Sequence, residues 1–189
     1  MPRTIEIQAY KFDELSETAK QKVLEKFYDT NVNYDWWDYI YDDAKTVGIK
    51  ITGFDLDRRK SCEGELYWNA EAVAQEITEE HGDTCETYKT AKAFLLEMEA
   101  MEERAKIAYD DYKAEYPIEE EREYSDFDGF FDYEFETERE DLKEDFEKSI
   151  FEDYANMLQN EYEYLTSEAA IIESIEANEY EFDEHGKMI

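Results

Sequence analysis

The sequence predicts an α+β protein in which a small antiparallel three-stranded sheet with helices is followed by a long acidic helical hairpin. Short stretches before residue 70 alternate apolar and polar side chains, as half-buried strands do. Two later stretches of about thirty residues contain neither glycine nor proline and repeat apolar side chains at helical spacing. We therefore expect an α+β domain at 1–82, a helical hairpin at 83–165, and a short C-terminal helix and tail at 166–189.

Three strands and three helices are expected in residues 1–82. The strands are Thr4–Tyr10, Ile49–Leu56 with a bulge or bend at Gly53, and Glu63–Asn69, where Leu66 and Trp68 share a face. The helices are one capped by Ser16, one from Tyr34 to Val47 that Gly48 ends, and one from Ala70 to Glu80. The expected core-facing residues of these helices are Ala19, Val23, Leu24 and Phe27; Trp37, Ile40, Tyr41, Ala44 and Val47; and Val73, Ala74 and Ile77.

The hairpin consists of two long helices joined by an acidic, aromatic loop at 117–134. The first, Glu86–Tyr116, ends at Pro117, and the second begins near Glu134. The first carries a heptad seam formed by Ala91, Phe94, Met98, Met101, Ala105, Ala108 and Tyr112. The second has an apolar stripe formed by Leu142, Phe146, Ile150, Tyr154, Met157, Leu158, Tyr162 and Leu165. The two helices pack within one chain, or the seam pairs with a second copy in a homodimer, and the pattern leaves both arrangements open.

The last residues predict a short helix and a brief strand. Thr166 or Ser167 is expected to cap a helix that carries Ile171, Ile172 and Ile175. The alternation at Tyr180 and Phe182 suggests an edge strand.

The charge of the chain restricts its partners. The 189 residues include 53 acids and 20 lysines and arginines, a formal net charge of −33. The residues after Pro117 carry a net charge of −21 and the first 117 carry −12. This balance excludes direct nucleic-acid binding and attraction to anionic membranes, because both need lysine and arginine. The chain has no signal-peptide pattern and no apolar run near the roughly 18 residues of a membrane span, so we expect a cytoplasmic protein.

Glu119–Asp153 is the most acidic stretch, and its acids are clustered, whereas a merely solvated or salt-tolerant surface would spread them evenly. From Glu134 to Glu163 there are 12 acids in 30 residues, which on a helix is one per about 3.75 Å of axis. One strand of B-DNA has a phosphate per about 3.4 Å. The stretch therefore predicts a surface for a basic nucleic-acid-binding protein or complex. Its expected partner-binding residues are Glu119, Glu120, Glu121, Glu123, Asp126, Asp128, Asp132, Glu134, Glu136, Glu138, Glu140, Asp141, Glu144 and Asp145.

The aromatic side chains among these acids have two interpretations. They plug the end of the hairpin, or they anchor a partner, since aromatic residues dominate binding hot spots. They are Phe127, Phe130, Phe131, Tyr133 and Phe135. Asp126–Asp132 also resembles a calcium loop, but with Gly129 at loop position 6 the acid positions 1 and 12 fall on Tyr124 and Phe135. We therefore expect no metal ion and no cofactor.

Nothing in the sequence predicts an enzyme. His81 and His185 each stand near a glycine, where a surface or capping role is expected. Cys62 has no neighbour of the kind that activates a thiol, and Cys85 is expected to be partly buried in a loop. Two cysteines make no disulfide framework, and phosphate-binding and dinucleotide-binding motifs are absent from the sequence.

Two stretches carry a resemblance to a known family. TIEIQAYKFDELSETAKQKVLEKF at 4–27, with YDWWDYIYDDAK at 34–45, resembles the start of phage-encoded proteins labelled antitoxins of a toxin–antitoxin stability system. YEYLTSEAAIIESIEANEYEF at 162–182 resembles their end. This resemblance implies a phage or prophage gene acting in the cytoplasm, and assigns no catalytic residue. In charge density alone, the chain is also similar to phage anti-restriction and anti-CRISPR proteins that imitate DNA.

These observations favour three functional hypotheses. The first is a phage inhibitor that mimics nucleic acid and blocks a restriction enzyme, a CRISPR complex or another defence nuclease of the host. The second is an antitoxin that neutralises one small basic toxin. The third is a non-inhibitory phage adaptor, dimeric through the heptad seam.

Overall fold

The computed structural model describes residues 8–119 and 122–189, and within them the protein is α+β with seven α-helices and one two-stranded antiparallel sheet. The elements in chain order are α1 (Glu17–Lys26), α2 (Asp38–Thr46), β1 (Ile49–Asp55), β2 (Ser61–Leu66), α3 (Ala70–Glu80), α4 (Glu86–Glu115), α5 (Phe127–Glu134), α6 (Glu136–Leu165) and α7 (Glu168–Ala177). None of the described helices combines the length and the apolar character that a membrane span requires.

The described residues form two strands of the predicted three-stranded sheet. β1 pairs with β2, and the register shifts between Ile51 and Gly53, which confirms the predicted bulge. Of the expected strand Thr4–Tyr10, residues 4–7 lie outside the described residues. Tyr10 forms an isolated bridge with Phe182 and does not pair with β1 or β2. β2 ends at Leu66, three residues before the predicted end of that strand, and the ring of Trp68 is 45% exposed.

The residues predicted to cap or end the helices do so in the structure. The Ser16 and Ser167 hydroxyl oxygens accept hydrogen bonds from the backbone N–H groups of Ala19 and Ala170, both at 3.3 Å. Gly48 follows α2 with a φ of +82°, the left-handed conformation that glycine adopts without strain. α2 begins at Asp38 and not at Tyr34, so the buried tryptophan is Trp36 and the predicted Trp37 is half-buried.

The chain divides into two compact units that do not follow the expected boundaries at residues 82 and 165. The first consists of Met1–Tyr39 and Met157–Ile189. Its core joins the two ends of the chain: Phe12, Leu15, Ala19 and Val23 pack with Ile171, Ile175 and Phe182. Tyr10 and Phe182 exchange backbone hydrogen bonds of 2.8 and 2.9 Å, which ties the N-terminal segment to the tail.

The second unit, Ile40–Asn156, contains the sheet and the helical hairpin. The ring of Phe94 on α4 stacks on that of Phe146 on α6 with centroids 4.5 Å apart. On one side of this ring contact Thr90 Oγ1 of α4 donates to Asp153 Oδ2 of α6 at 2.6 Å. On the other side Arg104 of α4 forms an ion pair with Glu138 of α6. Residues later in α4 contact residues earlier in α6, so the two helices are antiparallel within one chain.

The heptad seam is occupied inside this hairpin. Ala91, Phe94, Met101 and Ala105 are buried, whereas Met98, Ala108 and Tyr112 are half-buried. A homodimer through these seven residues would therefore have to open the hairpin. The predicted loop at 117–134 also differs from the structure, because its second half forms α5. Asp126 makes that helix possible, since its Oδ1 accepts from the Gly129 N–H at 2.9 Å and caps the first turn.

Candidate protein-binding surface

The first half of α6 carries the densest row of exposed carboxylates on any described helix. Nine of the eleven acids of α6 fall within Glu136–Asp153. Seven of them are exposed, including Glu136 at the start of the helix. The other six form two adjacent rows along the helix, Glu140, Glu144 and Glu147 in one and Asp141, Asp145 and Glu152 in the other. We call these six residues the carboxylate face.

The spacing within the carboxylate face follows from helix geometry. Steps of three and four residues advance about 4.5 and 6 Å along the axis, and the step of seven from Asp145 to Glu152 advances about 10.5 Å. The opposite side of the helix is held by Phe146, Ile150 and Tyr154, which are buried. The carboxylates therefore project from a helix whose position is set by packing, and their backbone is already ordered before any partner arrives.

Repulsion between like charges within the carboxylate face destabilises α6. Glu140 with Glu144, and Asp141 with Asp145, are like-charge pairs four residues apart, each unfavourable by about 0.2–0.5 kcal/mol. Lys143 offsets part of this, because its Nζ lies 3.3 Å from Glu140 and 3.5 Å from Glu71. The buried stripe of α6 must compensate for the rest.

Five of the predicted partner-binding acids are engaged within the chain. Asp126 caps α5, Asp132 pairs with Arg139 at 2.7 Å, and Glu138 pairs with Arg104. Glu134 accepts from the Tyr124 hydroxyl at 2.8 Å, and Glu140 pairs with Lys143. These contacts brace the end of the hairpin, so these acids are less available to a partner than the sequence suggested.

The other predicted acids project freely. Within residues 8–119 and 122–189, seven side chains make no hydrogen bond or ion pair: Glu119, Glu123, Asp128, Glu136, Asp141, Glu144 and Asp145. Glu120 and Glu121 lie outside the described residues. The available part of the predicted surface is thus concentrated on α6, with Asp128 on α5.

The aromatic residues of the acidic segment plug the end of the hairpin. Phe130 is 7% exposed and Tyr109 of α4 is 9% exposed. The Phe130 ring lies 5.3 Å from that of Tyr109, 5.5 Å from Tyr112 and 5.4 Å from Tyr124. Phe127, Phe131 and Phe135 extend the same cluster. Only Tyr133 among the five predicted aromatics is exposed, at 69%.

Tyr124 links this aromatic plug to the acids around it. Its backbone N–H donates to the Tyr112 hydroxyl at 3.1 Å, and its own hydroxyl donates to Glu134. Loss of hydration and that hydrogen bond raise the pKa of the Tyr124 phenol, as do the negative charges of Glu123 and Glu134. Tyr124 therefore stays neutral and acts as a donor.

The described histidine and cysteine side chains form no metal-binding cluster. Among the described residues, no three His, Cys, Asp or Glu side chains are arranged to hold a metal ion. His81 caps α3 through its backbone, but its side chain is 9% exposed rather than at the surface, and Nδ1 lies 2.8 Å from Thr87 Oγ1. Cys85, expected to be partly buried, is exposed at the start of α4.

Two features of the second unit have no counterpart in the sequence analysis. One is a polar cluster in which Tyr154 donates to Asp43 Oδ2 at 3.0 Å while His81 Nε2 lies 3.6 Å from Asp43 Oδ1. No sequence signal connects these residues, because Asp43 lies on α2, His81 follows α3 and Tyr154 lies on α6. The other is a cavity of about 680 Å³ between the β1–β2 turn and α6. The basic run Arg58–Lys60 in so acidic a chain could have indicated it.

Comparison with known proteins assigns no function to this surface. No family model, curated protein or solved structure matches the chain.

Proposed function

We propose that this protein is a phage-encoded acidic inhibitor that mimics nucleic acid and blocks a basic nucleic-acid-binding defence protein in the cytoplasm of the host cell. A restriction enzyme, a CRISPR complex or another defence nuclease would present a groove lined by lysine and arginine. The carboxylate face of α6 would occupy that groove in place of the phosphates.

The observation that carries the proposal is the pair of exposed acidic rows on the first half of α6. Asp141, Glu144 and Asp145 have no partner among the described residues, although lysines stand nearby in the chain. Free carboxylates at helical spacing offer a row of negative charges that a basic groove can neutralise. Because the charges on both partners are numerous, association would be fast and would weaken steeply with salt.

The hairpin gives this surface the rigidity that mimicry requires. A flexible acidic tail would lose conformational entropy on entering a groove, whereas α6 is already held by Phe146, Ile150 and Tyr154. The aromatic plug and the pair between Arg104 and Glu138 hold the other end. The acids engaged there support the surface and need not contact the partner.

The experiment that tests the proposal is capture of partners from host lysate on immobilised protein. If the protein mimics nucleic acid, we expect it to capture a basic nucleic-acid enzyme that is retained at low salt, released at high salt and displaced by added duplex DNA. A retained protein that DNA does not displace would contradict mimicry, because the two ligands would then occupy different sites.

A second candidate is an antitoxin for one small basic toxin, and one observation favours it. The stretches that resemble the phage antitoxin-labelled proteins, 4–27, 34–45 and 162–182, fall mostly within the first compact unit. Segments at opposite ends of the sequence thus share a core, as the parts of one folded module would. This candidate predicts a single small protein that remains bound at both salt concentrations and whose gene adjoins this one.

A further inference from the structure

The cavity between the β1–β2 turn and α6 differs in charge from the rest of the protein. Arg59, Lys60 and Lys148 line it, together with Glu63, Glu147 and Glu152. Cations and carboxylates are thus equal in number, in a chain with 53 acids and 20 lysines and arginines. The lining is one of the few places on this protein where an anion would not meet an excess of negative charge.

Two of these cations have no ion-pair partner among the described residues. Nine other lysines and arginines of the described residues form ion pairs with carboxylates. Arg59 and Lys148 form none with the described chain, although acids line the same cavity, and Lys60 donates to the Asn156 side chain. Two cations left unpaired beside available carboxylates are the groups that would bind an external anion.

The volume and the floor of the cavity indicate a ligand larger than an inorganic ion. About 680 Å³ lies within the range of sites for small organic molecules. Gly64, Phe151 and Ala155 form an apolar part of the lining. Phe151 is 9% exposed, and Gly64 packs so closely against its ring that a Cβ at that position would lie 2.6 Å from Phe151 Cε1. The apolar part of an organic ligand would lie against this wall of the cavity.

The remaining groups suit the hydroxyl and amino donors of such a molecule. Glu147 and Glu152 present carboxylate acceptors, and Ser61 and Asn156 present polar side chains. Cys62 adds no charge, because burial, and to a lesser degree the nearby Glu63, raise the pKa of its thiol to about 12. A sugar with free hydroxyls is recognised elsewhere by a carboxylate in the same way.

We propose that this cavity binds a nucleoside monophosphate, with the phosphate at Arg59 and Lys148, the sugar hydroxyls at the glutamates and the base against the apolar wall formed by Gly64, Phe151 and Ala155. Glu147 and Glu152 belong to both the cavity and the carboxylate face, but Arg59 and Lys148 do not belong to that face, so the role of these cations is tested separately from the proposed mimicry.

The test is a titration of the intact ¹⁵N-labelled protein with adenosine 5′-monophosphate, inorganic phosphate and adenosine, followed by NMR. The monophosphate is expected to shift the amide signals of Cys62 and Gly64 in a saturable way, and the other two compounds to bind about tenfold or more weakly. Equal binding of inorganic phosphate would overturn the organic ligand, and equal binding of adenosine would overturn the role of the cations. Absence of saturable shifts with the monophosphate would overturn the site.

A paired variant tests the assigned cations. Arg59→Ala with Lys148→Ala is expected to weaken monophosphate binding by about tenfold or more, since both charge-assisted contacts are lost. Lys22→Ala with Lys26→Ala removes the same charge from α1 and is the matched control, expected to bind as the unaltered protein does. Equal loss in both variants would assign the effect to net charge and overturn the site. Circular dichroism of each variant checks that the fold is retained.

Discussion

At the scale of single residues, Gly48 shows how the backbone and one exposed side chain depend on each other. Gly48 has a φ of +82°, and a Cβ there would lie 2.4 Å from Trp68 Cε3. Trp68 is 45% exposed, yet its ring covers the turn between α2 and β1. The sequence analysis identified Gly48 as a helix end, but the contact with Trp68 depends on the path of β2.

Gly48→Ala is expected to lower the free energy of unfolding by at least about 1–2 kcal/mol, because the left-handed conformation strains an alanine and the added Cβ displaces the Trp68 ring. Urea denaturation measures this change. Gly53→Ala is the matched control, since nothing lies within 4 Å of a Cβ at that position. A similar loss in both variants would contradict the account of Gly48.

Asp153 is a half-buried acid whose charge opposes folding. Burial raises the pKa of its carboxyl group, as do Glu86 and Glu152, while the hydrogen bond from Thr90 lowers it. The folded protein therefore binds this proton more tightly than the unfolded chain does. The contribution of Asp153 to stability is most favourable below the ordinary pKa of 3.8 and declines as the pH rises through the higher folded pKa.

Asp153→Asn is expected to raise the melting temperature at pH 7 by about 1–2 °C, which corresponds to about 0.5 kcal/mol for a chain of this size. The amide oxygen still accepts from Thr90, and the repulsion from Glu86 and Glu152 is lost. The gain should shrink as the pH falls towards 4, because the native carboxyl group is then protonated. Thermal unfolding at several pH values would refute this if the gain grew at low pH.

At the scale of elements, the hairpin was largely predictable and the acidic segment was not. The heptad spacing of Ala91–Tyr112 and the stripe of α6 both appear as faces of buried and half-buried residues, because long helices without glycine or proline follow their apolar periodicity. α5 was missed because its eight residues contain Gly129 and alternate acids with aromatics. Its stability comes from the Asp126 cap and from contacts with α4, and local propensity reveals neither.

The candidate surface was also predictable only in part. Sequence alone located the acids of α6, since their exposure follows from the opposite apolar stripe. It could not separate Asp132, Glu134 and Glu138, which have internal partners, from Asp141 and Glu144, which have none in the described part of the chain. Those partners, Arg139, Tyr124 and Arg104, depend on how the helix ends meet in space.

Phe130→Ala is expected to release α5 from α4, because Phe130 contacts three other rings and buried phenylalanine truncations cost about 3–5 kcal/mol. Hydrogen exchange should show faster exchange of the amides of Phe127–Glu134, with those of β1 and β2 little changed. Tyr133→Ala in the same helix is the control, since its side chain is largely exposed. An equal or larger effect of Tyr133→Ala would contradict the aromatic plug.

At the scale of the whole molecule, the net charge of −33 dominates the electrostatics. Self-repulsion of this size favours expansion of the chain. Added salt screens it, since the Debye length falls from about 10 Å at 0.1 M to about 3 Å at 1 M. Most ion pairs of the described residues join exposed side chains, and exposed pairs contribute little.

The midpoint of urea denaturation is therefore expected to rise between about 0.1 and 1 M potassium chloride, because added salt shortens the range of the repulsion among the acids. The slope of the transition should stay constant, because the surface exposed on unfolding does not change. A midpoint that fell with salt would mean that the internal ion pairs outweigh the repulsion among the acids.

The central claim is that the carboxylate face of α6 contacts a basic partner, and charge reversal on that face tests it most directly. The measurement compares the affinity of the captured partner for Asp141→Lys with Glu144→Lys and for the control Glu25→Lys with Glu173→Lys. Both variants change the net charge equally, and all four acids are exposed helix residues. The account predicts that the α6 variant binds about tenfold or more weakly, with a shallower salt dependence, while the control loses little. Equal affinities of the two variants would contradict it, because the partner would then respond to net charge or bind elsewhere.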